Sequence, residues 1–103
     1  MSPTFYIAQF FAGAFLCNSL PHLAAGLQGR AFPTPFARPR GVGRSTALVN
    51  VVWGLFNLAV GLLLLAAAPV PVGLNPSFVI ALLGALLLGC YLALRFGRLD
   101  ERG

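Results

Sequence analysis

Charged side chains are scarce in this chain of 103 residues, and they are absent from its two longest apolar stretches. None occurs in residues 1–29 or 45–94. With 58% hydrophobic and 9% charged residues, the chain has too little polar surface to cover a water-soluble globule. The composition therefore predicts an all-α membrane protein.

The residues that most often carry enzyme chemistry are also few. The chain has no lysine, its only acidic residues are Asp100 and Glu101, and its only histidine is His22. A carboxylate proton relay, a pair of catalytic acids and a Schiff-base lysine are therefore absent from the apolar stretches. A single histidine gives too few ligands for a metal or a haem in one chain. We expect no enzyme activity, no catalytic residue, no cofactor and no metal site.

Three stretches are long enough to cross a bilayer as helices, since one crossing takes about 20 apolar residues. Capping residues, two of them followed by proline, mark the helix starts at Ser2-Pro3, Ser45-Thr46 and Asn75-Pro76. We expect one transmembrane domain over residues 1–103, with helices at about 3–27, 46–68 and 76–95 and a basic loop at 28–45. Pro21 predicts a kink in the first helix, and residues from Phe96 onward are expected to form a tail.

The arginines predict the orientation of the three helices. All seven lie either between the first and second helices or after the third: Arg30, Arg38, Arg40, Arg44, Arg95, Arg98 and Arg102. Because positive residues in short loops stay in the cytoplasm, the N-terminus is expected outside and the C-terminus inside. The arginines flank apolar spans and do not alternate with surface aromatics, so anionic lipid is the expected partner and nucleic acid is not. The bias toward Ala, Arg, Gly and Pro favours a bacterial inner (plasma) membrane.

Polar and small residues form one stripe on each of the first two helices. On the second helix the spacings of three and four residues place Asn50, Trp53, Gly54, Asn57 and Gly61 on one face. A matching stripe on the first helix holds Asn18, His22, Ala25, Gly26 and Gly29. Because the two helices run in opposite directions, we expect His22 at the depth of Asn50 and Asn18 at the depth of Asn57, with Trp53 beside them. This polar cluster is interpreted either as structural hydrogen bonds that lock the helices or as a substrate or ion site.

The third helix carries a small residue at every fourth position, which makes a smooth ridge suited to close helix packing. The ridge consists of Ser77, Ala81, Ala85, Gly89 and Ala93. It could contact the first helix of the same chain or the same ridge of a second copy. Three helices bury little area for a whole function, so a homo-oligomer is expected, with a dimer favoured.

The loop at 28–45 combines prolines, two phenylalanines and four arginines. Its prolines oppose helix formation, and Phe32 and Phe36 are expected to enter the membrane interface while Arg30, Arg38, Arg40 and Arg44 meet lipid phosphates. Three interpretations stay open for it. The loop could be a lipid anchor, a lid over the His22 end of the bundle that binds an anion through Arg30, Arg38 and Arg40, or a site for a partner.

Two resemblances extend this interpretation. The chain resembles a family of small uncharacterised bacterial integral-membrane proteins in a pattern of three segments. They are Asn18-x-x-Pro21-His22, Gly26-x-x-Gly29-Arg30-x-Phe32-x-x-Pro35-Phe36-x-x-Pro39-x-Gly41 and Asn50-Val51-x-Trp53-Gly54-x-x-Asn57. That resemblance covers residues 18–57 and implies no activity, cofactor or substrate. The chain is also similar to PQ-loop half-transporters of the SemiSWEET type, which implies three helices with the N-terminus outside and a proline hinge near the inner end of the first helix. Here Pro21-His22 stands where that motif has Pro-Gln.

Two function hypotheses follow. The first is a non-enzymatic, oligomeric accessory or structural component of the membrane. The second is a small transporter or channel whose pathway passes Asn18, His22, Trp53 and Asn57. An aqueous opening that reaches His22 would favour the second hypothesis, and mutual hydrogen bonding without a cavity would favour the first.

Overall fold

Three long helices make up most of the computed structural model, which describes residues 2–101. Helix α1 spans Pro3–Leu27, α2 spans Ala47–Ala67 and α3 spans Pro76–Glu101. In the loop between α1 and α2, strand β1 (Phe32–Pro33) pairs antiparallel with strand β2 (Arg44–Ser45). Each helix is long and apolar enough to cross a membrane, with mean hydropathies of 1.3, 2.2 and 2.4. The long axis of the molecule is 45 Å, close to a bilayer with its headgroups.

The predicted caps are confirmed at all three helix starts. The Ser2 hydroxyl accepts a hydrogen bond from the Phe5 amide at 3.3 Å, and the Thr46 hydroxyl accepts one from the Val49 amide at 3.2 Å. The Asn75 side-chain oxygen accepts one from the Phe78 amide at 2.9 Å. These bonds satisfy amides that have no partner inside their own helix.

The expected tail after the third helix is wrong, because α3 continues beyond Arg95 to Glu101. Arginine ends an apolar span without ending a helix, since its helix propensity is close to that of leucine. Helix α1 is likewise helical on both sides of Pro21. Arg102, one of the seven arginines used for the orientation, lies outside the described residues.

Helix α1 lies between the other two helices. Its contacts with α2 run antiparallel, from Gln9 at Pro69 to His22 at Asn50. Its contacts with α3 run parallel, from Gly13 at Ala81 to Cys17 at Gly89. Helices α2 and α3 follow one another in the chain, yet each packs mainly on α1.

The burial pattern is the reverse of that in a water-soluble protein. The largest fully buried side chains are polar: Gln9, Asn50, Asn57, Thr34 and Ser19. The large aliphatic side chains point outward, and Leu20, Leu48 and Leu63 are 64%, 74% and 69% exposed. Small residues therefore let the helices approach, and leucines cover the outside.

Candidate functional site

His22 on α1 and Asn50 on α2 form the centre of the polar cluster. Both are buried, and His22 Nδ1 lies 2.8 Å from Asn50 Oδ1. The Asn50 amide nitrogen donates to the carbonyl oxygens of Phe32, Ser45 and Thr46 at 3.0, 3.2 and 3.0 Å. These carbonyls fix which end of the amide is the donor, so Asn50 Oδ1 accepts and His22 Nδ1 carries the proton of that bond. Asn50 thus joins α1, α2 and the loop.

A second hydrogen-bonded pair, formed by two asparagines, lies nearer the middle of the bundle. Asn18 Nδ2 donates to Asn57 Oδ1 at 2.9 Å, and Asn57 Nδ2 donates to the backbone oxygen of Trp53 at 2.8 Å. Asn57 is buried and Asn18 is half-buried. The structure thus pairs His22 with Asn50 and Asn18 with Asn57, as their matched depths in the two helices predicted, and Trp53 lies beside them.

Aromatic rings pack around the imidazole of His22. Ring centres of Phe32, Trp53 and Phe96 lie 5.5, 6.4 and 6.4 Å from the imidazole, and Phe32 and Phe96 lie 4.6 Å apart. Phe32 is half-buried and packs against the rings of His22 and Phe96. Phe36 is 64% exposed and packs against Trp53 at 5.1 Å. Phe96 was missed by sequence analysis because it follows the first arginine after the span.

The loop is ordered by hydrogen bonds of its own and by one to α3. The hydroxyls of Thr34 and Ser45 bond to each other beside the β1–β2 ladder. Arg95 Nη2 on α3 donates to the Gly41 carbonyl at 2.8 Å. The loop therefore lies over the His22 end of the bundle, in the place expected of a lid.

The four loop arginines separate into two pairs. All four are exposed, but Arg30 and Arg44 line one cavity of about 850 Å³, whereas Arg38 and Arg40 lie outside its lining. The expected anion set of Arg30, Arg38 and Arg40 is therefore not assembled around this cavity.

The close contact between α1 and α3 is centred on two glycines that sequence analysis did not single out. A Cβ at Gly13 would overlap the Ala81 carbonyl, and a Cβ at Gly84 would overlap the Phe10 carbonyl. Of the expected ridge, Ala81 and Ala85 border this contact and Gly89 faces Cys17, while Ala93 is exposed and Ser77 is half-buried. The repeat of four marked the side of α3 that packs on α1. The buried Gly84 at this contact lies outside the repeat.

A buried glutamine near the other end of α1 was also missed. Gln9 is 0% exposed, and its Nε2 donates to the Pro69 carbonyl at 3.0 Å, just after α2. Its Oε1 is buried and has no partner within the part of the chain that the structure describes. The signal in the sequence was an amide side chain in an apolar helix, at the spacing of the buried Ala12 and Ser19.

Four cavities or grooves in the described part of the chain lie outside the polar cluster. Their volumes are about 850, 690, 540 and 210 Å³, and none is lined by Asn18, His22, Asn50 or Asn57. Trp53 lines the outer groove of 540 Å³. Within residues 2–101, no group of three His, Cys, Asp or Glu residues is placed to hold a metal ion.

No family model, no curated protein and no solved structure matches this chain. The two family resemblances therefore stay predictions, and the function has to be argued from the geometry.

Proposed function

We propose that this chain is a non-enzymatic integral protein of the bacterial inner membrane that serves as an oligomeric accessory or structural component. Its outward leucines and buried amides fit a lipid solvent, in which polar groups must find partners inside the protein. Its N-terminus lies outside and the loop between α1 and α2 lies in the cytoplasm, because the loop holds four arginines and the turn at 69–75 holds none.

The observation that carries the structural role is the mutual hydrogen bonding of the polar cluster. His22 and Asn50 bond to each other, and the Asn50 amide also bonds to carbonyls of the loop and of α2. Such bonds specify register and the position of the loop, although each is worth only about 0.6 kcal/mol in a membrane. The cluster acts as a lock that holds α1, α2 and the loop in one arrangement.

A transport pathway through the same cluster is the weaker hypothesis. Transport needs an opening that reaches His22, but Phe32 and Phe96 lie over the imidazole. None of the four cavities described above is lined by Asn18, His22, Asn50 or Asn57. The geometry therefore supports a structural role better than a conducting one.

The exposed third helix offers a surface on which a second copy of the chain could pack. Only 6% of the most apolar window of α3 is buried, against 33% for α1. A second copy of the chain would cover part of this surface, and a dimer is favoured because twofold assemblies are the commonest.

Reconstitution into liposomes tests the structural role. We expect the wild-type protein to pass ions, sugars and amino acids no faster than empty liposomes do. Flux that is abolished by Asn57→Leu, in a variant that still folds, would contradict the structural role.

Cysteine labelling in intact cells tests the orientation. In a background without Cys17 and Cys90, a membrane-impermeant thiol reagent should label Val72→Cys, in the outer turn, and should fail to label Arg40→Cys. The reverse pattern would overturn the orientation without bearing on the polar cluster.

A further inference from the structure

The largest of the four cavities lies where α1, the loop and α3 meet, at the end of the bundle proposed to be cytoplasmic. Its volume is about 850 Å³. Helices α1 and α3 run parallel, so their C-terminal parts form two of its walls and the β1–β2 ladder forms the third. The lining residues are Pro21, Ala24, Ala25, Arg30, Ala31, Phe32, Pro33, Val42, Arg44, Phe96 and Leu99.

Two kinds of surface meet in this cavity. Arg30 and Arg44 supply the only charged groups among its described lining residues. The two helices supply an apolar wall that includes the exposed Ala24 and the half-buried Leu99. A fitting ligand therefore has an anionic group joined to an apolar stem.

Guanidinium groups favour phosphate, because their planar donors match two phosphate oxygens at once. A free phosphate would fill only the arginine side and would leave the apolar wall open to water. An anionic phospholipid fills both sides, and in the proposed orientation its leaflet lies at this end of the bundle. We propose that the cavity binds the phosphate headgroup and the adjoining acyl chain of one anionic phospholipid.

This inference rests on the membrane insertion and orientation of the proposed function, and it assigns the loop a particular ligand. It also separates Arg30 and Arg44 from the loop's other two arginines. General attraction to an anionic surface would use all four arginines alike. A defined lipid site in the cavity depends only on Arg30 and Arg44, which line it.

Native mass spectrometry of the purified protein, titrated with phosphatidylglycerol in a neutral detergent, tests the proposal. The double variant Arg30→Gln/Arg44→Gln should bind the first phosphatidylglycerol about 30-fold more weakly than wild type. The matched control Arg38→Gln/Arg40→Gln removes the same charge from the same loop and should bind it nearly as wild type does. Equal losses in both double variants, or no loss in the first, would overturn the proposal.

Two further titrations distinguish a lipid from a soluble phosphate. Glycerol 3-phosphate, which has the phosphate without the acyl chains, should bind far more weakly than phosphatidylglycerol. Ala24→Phe, which fills the apolar wall and keeps both arginines, should also weaken phosphatidylglycerol binding. Glycerol 3-phosphate binding as tightly as the lipid, or an unchanged Ala24→Phe variant, would overturn the lipid assignment.

Folding and orientation are followed separately from lipid binding. Each variant should keep the helical circular dichroism and the monodisperse elution of the wild type. If the Arg30→Gln/Arg44→Gln variant does not fold, phosphatidylglycerol binding by Ala24→Phe still tests the proposal. Unchanged cysteine labelling combined with unchanged lipid binding in every variant would refute this inference alone and leave the proposed function intact.

Discussion

His22 Nδ1 and Asn50 Oδ1 lie 2.8 Å apart, although 28 residues of chain separate them. The bond crosses from α1 to α2, and the amide that accepts it also donates to the loop carbonyl of Phe32. One asparagine therefore fixes the position of two helices and of the segment that joins them. The loss of Asn50 should therefore weaken the packing of both helices and of the loop.

Replacing Asn50 with leucine should lower the free energy of unfolding by about 2 kcal/mol, because the buried His22 donor and the Phe32 carbonyl lose their partner. Asn57→Leu is the matched comparison, since it removes one interhelical bond and should cost about 0.6 kcal/mol. Unfolding of both variants by a denaturing detergent in mixed micelles measures the difference. Equal losses would show that the contact with the loop contributes nothing.

The contact between α1 and α3 gives a prediction with two controls on the same helix. Gly84→Ala should destabilise the protein by about 1–3 kcal/mol, because the new methyl group meets the backbone at Phe10 and the helices must move apart. Gly97→Ala, which meets nothing within 4 Å, should be neutral or slightly stabilising. Gly89→Ala, which meets only Cys17 Sγ at 3.5 Å, should be tolerated. The same unfolding measurement applies, and a neutral Gly84→Ala would contradict the observed packing.

These contacts show what a sequence pattern can and cannot predict here. The caps at Ser2, Thr46 and Asn75 are local, so residue type and spacing were enough to place them. The depths of His22 and Asn50 could be matched because the first two helices were expected to run antiparallel on either side of one loop. The choice of Gly84 over Gly89 could not be predicted, since it depends on how far α3 rotates about its axis. Phe96 was missed because the first charge after an apolar span was taken as the helix end.

The order of the loop also depends on contacts that sequence spacing does not predict. Prolines and arginines indicated an extended segment on the membrane surface. The bond from Arg95 to the Gly41 carbonyl spans 54 residues, so no local pattern predicts it. Because of this bond, the loop is held against α3.

Arg95→Gln should loosen the loop while leaving the three helices folded. The loss of one charge-assisted hydrogen bond, worth about 1.5–3 kcal/mol, should speed opening of the loop. Hydrogen exchange should therefore rise at the amides of Gly41 and Gly43, which bond within the loop to the carbonyls of Thr34 and Pro39. Arg98→Gln is the control, because it removes the same charge three residues later on the same helix. Equal exchange in both variants would mean that the Arg95 bond does not hold the loop.

Gln9 differs from Asn50 in that its Oε1 has no hydrogen-bond partner among the described residues. Gln9→Met keeps the shape of the side chain, removes the bond to the Pro69 carbonyl and removes the unpartnered Oε1. The lost bond destabilises the protein and the removal of a buried acceptor stabilises it, each by about 1 kcal/mol, so the two effects should nearly cancel. Unfolding in mixed micelles should give a free energy close to that of wild type, in contrast to Asn50→Leu. A loss as large as that of Asn50→Leu would indicate that Oε1 accepts a hydrogen bond from a water held between α1 and the end of α2.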